Sequence, residues 1–262
     1  RSYKEERLRY ASKWFAFFEA EAQENYTVYG YMPKITGMSS SLSSVTSDGA
    51  TLTINGNKPI TTDDICIITG VKETDTGLKE GQFGWRMENA NDNFYMYLLM
   101  DHLYASVKFS LIVSEEYAQL RTIKLKTMTL KTDKASVDAQ VTLTHNTDGT
   151  SPITSVTYNT STGDNCAAEI FNNAEGQALS STTPIAVSAC FAPTLSDSLT
   201  LFSTYDVYDS KGNLIRANCK ATNKIPNLEA SRGQRVQLNM KVDPTYLYIM
   251  SDKDLDNLFT IE

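Results

Sequence analysis

The strongest constraint on the fold is a strict two-residue alternation of apolar and polar side chains in several short segments. Successive side chains of a strand point to opposite faces, so alternation predicts a strand with one buried and one exposed face. Two segments follow this rule without a break, with their apolar positions at Ala105, Val107, Phe109, Leu111 and Val113, and at Val236, Leu238, Met240 and Val242. Both segments are predicted to be strands.

A hairpin is predicted where Leu199–Tyr208 and Leu214–Lys220 are separated by Asp209–Asn213. The Gly and Asn in this connection tolerate the positive φ that hairpin turns require.

Two further strand segments carry irregular patterns. Ile123 and Leu125 share one phase, whereas Met128 and Leu130 take the opposite one, which predicts a bulge near Thr127. The segment 93–100 is apolar in both phases, which favours a central strand covered on both faces.

Frequent turn signals and the loss of helical periodicity after Tyr26 favour an all-β protein. A length of 262 residues favours two antiparallel β-sandwich domains over one large domain. We place them at residues 1–102 and 103–262, because the pattern changes near His102. Before Tyr26, apolar residues from Leu8 to Phe18 have helical spacing and predict a short N-terminal helix, although Phe15 and Phe17 also fit a strand.

Charge and hydropathy exclude several classes of partner. The net charge of -7 provides no basic surface for nucleic acid or for anionic membrane. No apolar run is long enough for a transmembrane segment.

The sequence predicts no catalytic residues, no cofactor and no metal. Only two histidines, His102 and His145, are present, which excludes multi-histidine metal sites, and no phosphate-binding glycine motif occurs. The four widely spaced cysteines are interpreted as free, partly buried thiols rather than disulfides. A nucleophilic Cys66 or Cys166 beside a histidine is the enzymatic alternative, although structural cysteines are usually inert.

The acidic and aromatic residues are interpreted as structural rather than as catalytic, calcium-binding or sugar-binding groups. The neighbours Asp63 and Asp64, and likewise Glu115 and Glu116, are read as solvated turn or cap residues. Asp252, Asp254 and Asp256 imitate half of a calcium loop, but the glycine and closing glutamate of such a loop are missing. Trp14, Trp85 and 14 tyrosines could form a sugar-binding platform, but packing in strands is the ordinary explanation.

Four segments, read together, resemble the fimbrillin family, the subunits of type V pili and related surface proteins of Gram-negative gut and oral anaerobes. The segments are YTVYGYMP at 26–33, ITTDDICIITG at 60–70, DHLYASVKFSLIV at 101–113 followed by IKLKTMTL, and RGQRVQLNMKVDPTYLYIMSDKDLDN at 232–257. They cover about half of the chain. The last is the most specific, because a strictly alternating strand runs into P-T-Y-L-Y and an aspartate-rich end.

The resemblance implies two transthyretin-like, Greek-key β-sandwich domains and no catalytic residues. It also implies export as a lipoprotein precursor, trimming at an arginine, an extracellular location at the outer membrane or fimbria, and polymerisation by strand donation. The expected partners are other pilus subunits, in a homo- or hetero-polymer, and a host or bacterial surface protein or glycan. Any export signal is expected upstream of Arg1.

The candidate assembly segment lies near the C-terminus, within 244–262. It is apolar in both phases, with residues Tyr246, Leu247, Tyr248, Ile249 and Met250. Such a strand must be covered by its own domain or by a partner, and both possibilities remain open. The predicted function is a structural subunit or adhesin of a surface pilus, and the alternative is a free-standing carbohydrate-binding surface module.

Overall fold

The computed structural model describes residues 9–11, 13–15, 24–86, 95–146, 154–195, 199–225 and 228–242. Nearly all the regular structure is β. The strands are β1 (Arg9–Ala11), β2 (Lys13–Phe15), β3 (Asn25–Thr27), β4 (Tyr31–Met32), β5 (Ser39–Ser43), β6 (Gly49–Asn57), β7 (Ile60–Thr61), β8 (Cys66–Lys72), β9 (Gly84–Arg86), β10 (Tyr97–His102), β11 (Ala105–Val113), β12 (Arg121–Thr144), β13 (Thr154–Ala178), β14 (Ile185–Phe191), β15 (Leu199–Asp209), β16 (Leu214–Ile225) and β17 (Arg235–Val242). One six-residue helix, α1 (Glu115–Leu120), and a 3-10 turn at Pro193–Leu195 complete the described part.

The predicted N-terminal helix is wrong where the structure describes the segment. β1 and β2 pair antiparallel, with Tyr10 opposite Trp14. Aromatic side chains favour strands, and here that preference outweighs the helical spacing of the apolar residues. The rest of the segment from Leu8 to Phe18 lies outside the described residues.

The largest sheet has the strand order β16-β15-β12-β6-β5, with β13 also paired to β12. β12 is 24 residues long, and its first half pairs with β15 while its second half pairs with β6. Its pairing with both β13 and β15 shifts register between Leu125 and Thr127. The predicted bulge near Thr127 is therefore confirmed. The shift lets Ile123 and Leu125 before it, and Met128 and Leu130 after it, all be buried.

A second sheet has the order β17-β11-β14-β7. β11 buries every second residue, from Ala105 to Val113, as its alternation predicts. β14 runs antiparallel to β11, whereas β17 runs parallel to it. The predicted antiparallel pairing is confirmed for every other described strand pair, and β11 with β17 is the exception. β12 to β16 separate β17 from β11 in the chain, so no hairpin forces these two strands to run antiparallel.

One apolar core contains side chains from both large sheets, including Phe109, Phe191, Met128 and Leu201. Full burial of a side chain such as Phe109 contributes about 1.5–3 kcal/mol. Strands on both sides of residue 102 pair within these sheets, as β6 with β12 and β7 with β14. The division into domains at 1–102 and 103–262 stays a prediction.

β10 was expected to be a central strand, and this expectation is wrong. It lies at one end of the sheet order β10-β8-β4, and four of its six residues are half-buried. Its apolar residues Leu98 and Met100 pack on a small separate cluster formed by Ile68, Val71 and Trp85. Residues 93 and 94 lie outside the described part.

The hairpin of β15 and β16 is confirmed, with Tyr208 opposite Leu214 and Gly212 at a φ of +84°. All four cysteines are free thiols. Within the described ranges, the chain contains no helix long and apolar enough to cross a bilayer.

Candidate functional site

The outer edge of β17, the edge away from β11, is the first candidate site. β17 ends the sheet order, so no described strand pairs with this edge. Along β17 the side chains alternate between exposed and half-buried. The half-buried ones pack against the main core and are Val236, Leu238, Met240 and Val242. The predicted alternation is confirmed, but the apolar stripe is covered only in part.

The hydrogen bonds to β11 show which backbone groups of β17 face outward. The amide of Ser106 donates to the carbonyl of Gln234 at 2.8 Å, and the amide of Ser114 donates to the carbonyl of Val242 at 3.0 Å. In a parallel ladder, alternate residues direct both backbone groups to the same neighbour. The even-numbered residues of β17 therefore bond to β11, and Gln237 and Asn239 direct their N–H and C=O groups to the outer edge.

A tight turn fixes the point at which β17 begins. Gly233, at a φ of +74°, donates its amide to the carbonyl of Tyr104 at 3.0 Å. The Arg232 guanidinium donates to the Asp101 carboxylate and, at 2.9 Å, to the carbonyl of His102. These bonds tie the turn to the end of β10 and the start of β11.

The predicted assembly segment, Tyr246, Leu247, Tyr248, Ile249 and Met250, lies outside the described residues. The structure gives the position from which the chain approaches it. At Val242 the chain is held by the amide of Ser114, the residue that caps α1.

The second candidate site is the Asp64 cluster, which we define as Asp64, Cys66 and His102. Asp64 lies two residues before Cys66, the first residue of β8, and His102 is the cross-strand partner of Cys66 on β10. The His102 Nδ1 lies 2.8 Å from Oδ2 of Asp64 and 3.8 Å from the Cys66 Sγ. The structure thus brings together one cysteine and one histidine that sequence reasoning considered, and adds Asp64.

The geometry of this cluster differs from that of a catalytic triad, in which a nucleophile, a histidine base and an orienting acid are aligned. In such a triad one histidine nitrogen faces the nucleophile and the other is held by the acid. Here Nδ1 faces both Cys66 and Asp64. Burial, with smaller contributions from Asp64 and Asp101, raises the pKa of Cys66 to about 11. At neutral pH the sulfur is therefore a thiol and a poor nucleophile.

The other cysteine considered as a nucleophile, Cys166, lies in β13 opposite Thr132 of β12. The other histidine, His145, is held at both nitrogens. Its Nδ1 lies 2.7 Å from the carbonyl of Ser47, and its Nε2 lies 2.7 Å from the hydroxyl of Tyr29. Since a carbonyl only accepts, Nδ1 carries a proton and the ring has a structural role in joining three segments.

Three of the four paired acidic residues, Glu115, Glu116 and Asp63, have the structural roles predicted for them, whereas Asp64 belongs to the second candidate site. Glu115 and Glu116 lie in the first turn of α1, after the N-cap Ser114, whose side chain accepts from the amide of Tyr117. Carboxylates at this end of a helix are favoured by the backbone dipoles. Asp63 is exposed in a bend, and its amide donates to the Thr61 hydroxyl at 3.0 Å. Asp252, Asp254 and Asp256 lie outside the described residues.

Trp85 does not form part of an exposed aromatic platform. It is only 4% exposed and donates its indole N–H to the carbonyl of Tyr95 at 3.1 Å. Two nearby tyrosines, Tyr95 and Tyr97, are exposed instead.

No protein-family model matches this chain, and no curated protein matches it. A solved structure of a candidate cell adhesion protein from Bacteroides uniformis resembles it with a TM-score of 0.33 and 8% identity over 76% of this chain and 69% of that one. A second, of a candidate cell adhesion protein from Bacteroides fragilis, has a TM-score of 0.33 and 10% identity over 74% of this chain. This chain spans 60% of that protein, less than two thirds of its length. Likenesses of this strength do not assign a family.

Proposed function

We propose that this protein is a non-enzymatic, extracellular subunit or adhesin of a surface pilus that assembles by accepting and donating β-strands. Its partners would be other pilus subunits, and an adhesin would also contact a host or bacterial surface protein or glycan. The sequence resemblance to fimbrillins, which covers about half of the chain, supports the proposal. The outer edge of β17 supports it at the level of a site.

The outward backbone groups of Gln237 and Asn239 carry the proposal. Unpaired N–H and C=O groups at a sheet edge are a template for another extended segment. A segment added there would also extend the sheet over the apolar stripe that β17 leaves half-buried. Each square ångström of apolar surface removed from water contributes about 25 cal/mol, and backbone hydrogen bonds fix the register of the added strand.

The occupant we propose is the segment Tyr246–Met250 of a neighbouring subunit. Its residues form two alternating apolar sets, Tyr246, Tyr248 and Met250 on one side and Leu247 and Ile249 on the other. A strand that is apolar on both faces is costly to leave in water. The competing possibility is that the segment folds back and completes its own subunit.

Truncation distinguishes the two possibilities. We expect a chain that lacks residues 243–262, and with them the proposed donor segment, to remain folded and monomeric while the full chain forms polymers, as measured by light scattering and electron microscopy. A labelled peptide of residues 243–262 should then bind the truncated chain. The proposal is wrong if the truncated chain polymerises like the full one, or if it unfolds and the added peptide does not restore its β-sheet circular dichroism.

A further inference from the structure

The three side chains of the Asp64 cluster are brought together by the pairing of β8 with β10 and by the short segment that precedes β8. Asp64 lies in the irregular segment just before β8, two residues before Cys66, which is the first residue of the strand. Antiparallel pairing sets His102 directly opposite Cys66. The carboxylate, thiol and imidazole ligand atoms all lie within 4.8 Å of one another.

We propose that Asp64, Cys66 and His102 bind one Zn²⁺ through a carboxylate oxygen, Sγ and Nδ1. This inference goes beyond the proposed function and does not depend on it. At zinc–ligand distances of about 2.0–2.3 Å, tetrahedral ligands lie about 3.3–3.7 Å apart. The observed separations from Nδ1 are 3.8 Å to sulfur and 2.8 Å to the carboxylate. Zinc binding would therefore lengthen the distance from Nδ1 to the Asp64 carboxylate and shorten the distance from Nδ1 to the Cys66 sulfur, each by less than about 1 Å.

The surroundings provide room and charge for the ion. The side chains of His102 and Asp64 are 50% and 48% exposed, so water can reach the fourth coordination position. Asp64 and His102 also line a cavity of about 440 Å³. Asp101 adds negative charge near Cys66, although its carboxylate is already paired with Arg232.

The backbone of His102 is fixed at both ends, and its ring is held by the contact of Nδ1 with Asp64. Its amide bonds to Asp101 Oδ1 at 2.8 Å, and its carbonyl accepts from Arg232. Binding would release the Cys66 thiol proton to solvent and would place the remaining imidazole proton on Nε2, so that Nδ1 and the thiolate both face the metal. The hydrogen bond between Nδ1 and Asp64 is then replaced by two bonds to zinc.

The donor set selects the metal. Thiolate and imidazole favour zinc and cobalt, whereas calcium and magnesium prefer oxygen ligands throughout. Without a metal, the same geometry is an exposed hydrogen bond or ion pair between His102 and Asp64, which contributes little to stability. The spectrum of a bound metal ion distinguishes a metal site from this metal-free hydrogen bond or ion pair.

The test is titration of the reduced, full chain with Co²⁺ and then with Zn²⁺. We expect one equivalent of Co²⁺ to produce tetrahedral d–d bands and a thiolate-to-metal charge-transfer band, and Zn²⁺ to abolish both. Cys66→Ser should remove the charge-transfer band. His102→Gln and Asp64→Asn should each weaken binding by at least about tenfold, since even the loss of an outer-shell partner costs that much. Ca²⁺ should not compete.

Two variants serve as matched controls. Cys166→Ser removes another half-buried thiol, and Asp63→Asn removes the neighbouring carboxylate, so both should bind Co²⁺ like the parent chain. Circular dichroism establishes that each variant is folded. The proposal fails if the charge-transfer band survives in Cys66→Ser, if Cys166→Ser loses it, or if the parent chain shows no tetrahedral cobalt spectrum.

Discussion

The guanidinium of Arg232, in the turn before β17, is ion-paired with the carboxylate of Asp101 at the end of β10. The same Nη1 atom donates to the carbonyl of His102 at 2.9 Å. The side chains are 24% and 31% exposed, so the pair is only partly screened by water. One side chain therefore ties the start of the outermost strand of one sheet to a strand of another, and it stands between the two candidate sites.

Replacing Arg232 by alanine should loosen the start of β17. The substitution leaves the Asp101 carboxylate and the His102 carbonyl without this donor, and hydrogen bonds that involve a charged group contribute about 1.5–3 kcal/mol. We expect a loss of free energy of unfolding of about that size in urea denaturation, with faster hydrogen exchange at Val236 and Leu238. Lys241→Ala, an exposed change in the same strand, should have almost no effect.

A second prediction concerns the packing of a loop against β8. A β-carbon added to Gly70 would lie 2.4 Å from the carbonyl oxygen of Lys79. The loop cannot easily move away, since the amide of Gly81 donates to the carbonyl of Thr69 at 2.8 Å. Gly70→Ala should therefore destabilise the protein by about 1–3 kcal/mol, as overpacking usually does.

Gly84→Ala is the matched control for Gly70→Ala. Neither glycine has a positive φ, and an added β-carbon at Gly84 would have no neighbour within 4 Å. Thermal unfolding of the two variants isolates the clash from the general effect of replacing a strand glycine. Equal losses in the two variants would contradict the packing described for the loop.

Local patterns predicted individual strands well because alternation is a property of neighbouring residues. Val236–Val242 and the bulge at Thr127 needed no distant information. The parallel alignment of β17 with β11 needed information from distant parts of the chain, because it depends on how the chain crosses between sheets. Periodicity likewise could not show that β10 is an edge strand, because an edge strand with a small cluster beside it has the same composition as a central one.

The Asp64 cluster was not predicted because it depends on a register shift. β8 and β10 change register between Leu99 and Met100, so that Leu99 faces Gly70 whereas Met100 faces Ile68. Without that shift, His102 would face Ile67 and its side chain would not be opposite Cys66. The local sequence around Asp64 shows only its neighbour Asp63, whereas His102 is 38 positions away and comes close only through the pairing of β8 with β10.

A third prediction concerns acid and the β15–β16 turn. The Asp209 carboxylate accepts from the amides of Lys211 at 2.9 Å and Asn213 at 2.8 Å, and from the side chain of Asn213 at 3.0 Å. These bonds, led by the Asn213 side chain, lower the pKa of Asp209. A pKa that is lower in the folded state means that the ionised form stabilises the turn, and that this contribution is lost as pH falls through the folded pKa.

Acidification should therefore loosen the turn at Asp209 before the rest of the hairpin. NMR amide shifts of Lys211 and Asn213 should titrate together, with a midpoint below the usual aspartate value. In Asp209→Asn this titration should disappear while the amide side chain still supplies one acceptor. A midpoint at or above the usual aspartate value would mean that the three hydrogen bonds do not favour the ionised carboxylate.

The last prediction uses proline to block the outer edge of β17 without breaking its inner ladder. Proline has no backbone N–H, so its effect depends on which way the replaced N–H points. Gln237 directs its backbone groups outward and its side chain is exposed, whereas Leu238 bonds to β11 and packs on the core. Gln237→Pro should leave the chain folded, with near-parent circular dichroism, and should greatly slow polymerisation. Leu238→Pro removes a ladder bond to β11 and should lower the midpoint of thermal unfolding substantially. If Gln237→Pro polymerises at the parent rate while remaining folded, strands are not added at this edge, and assembly must use another surface.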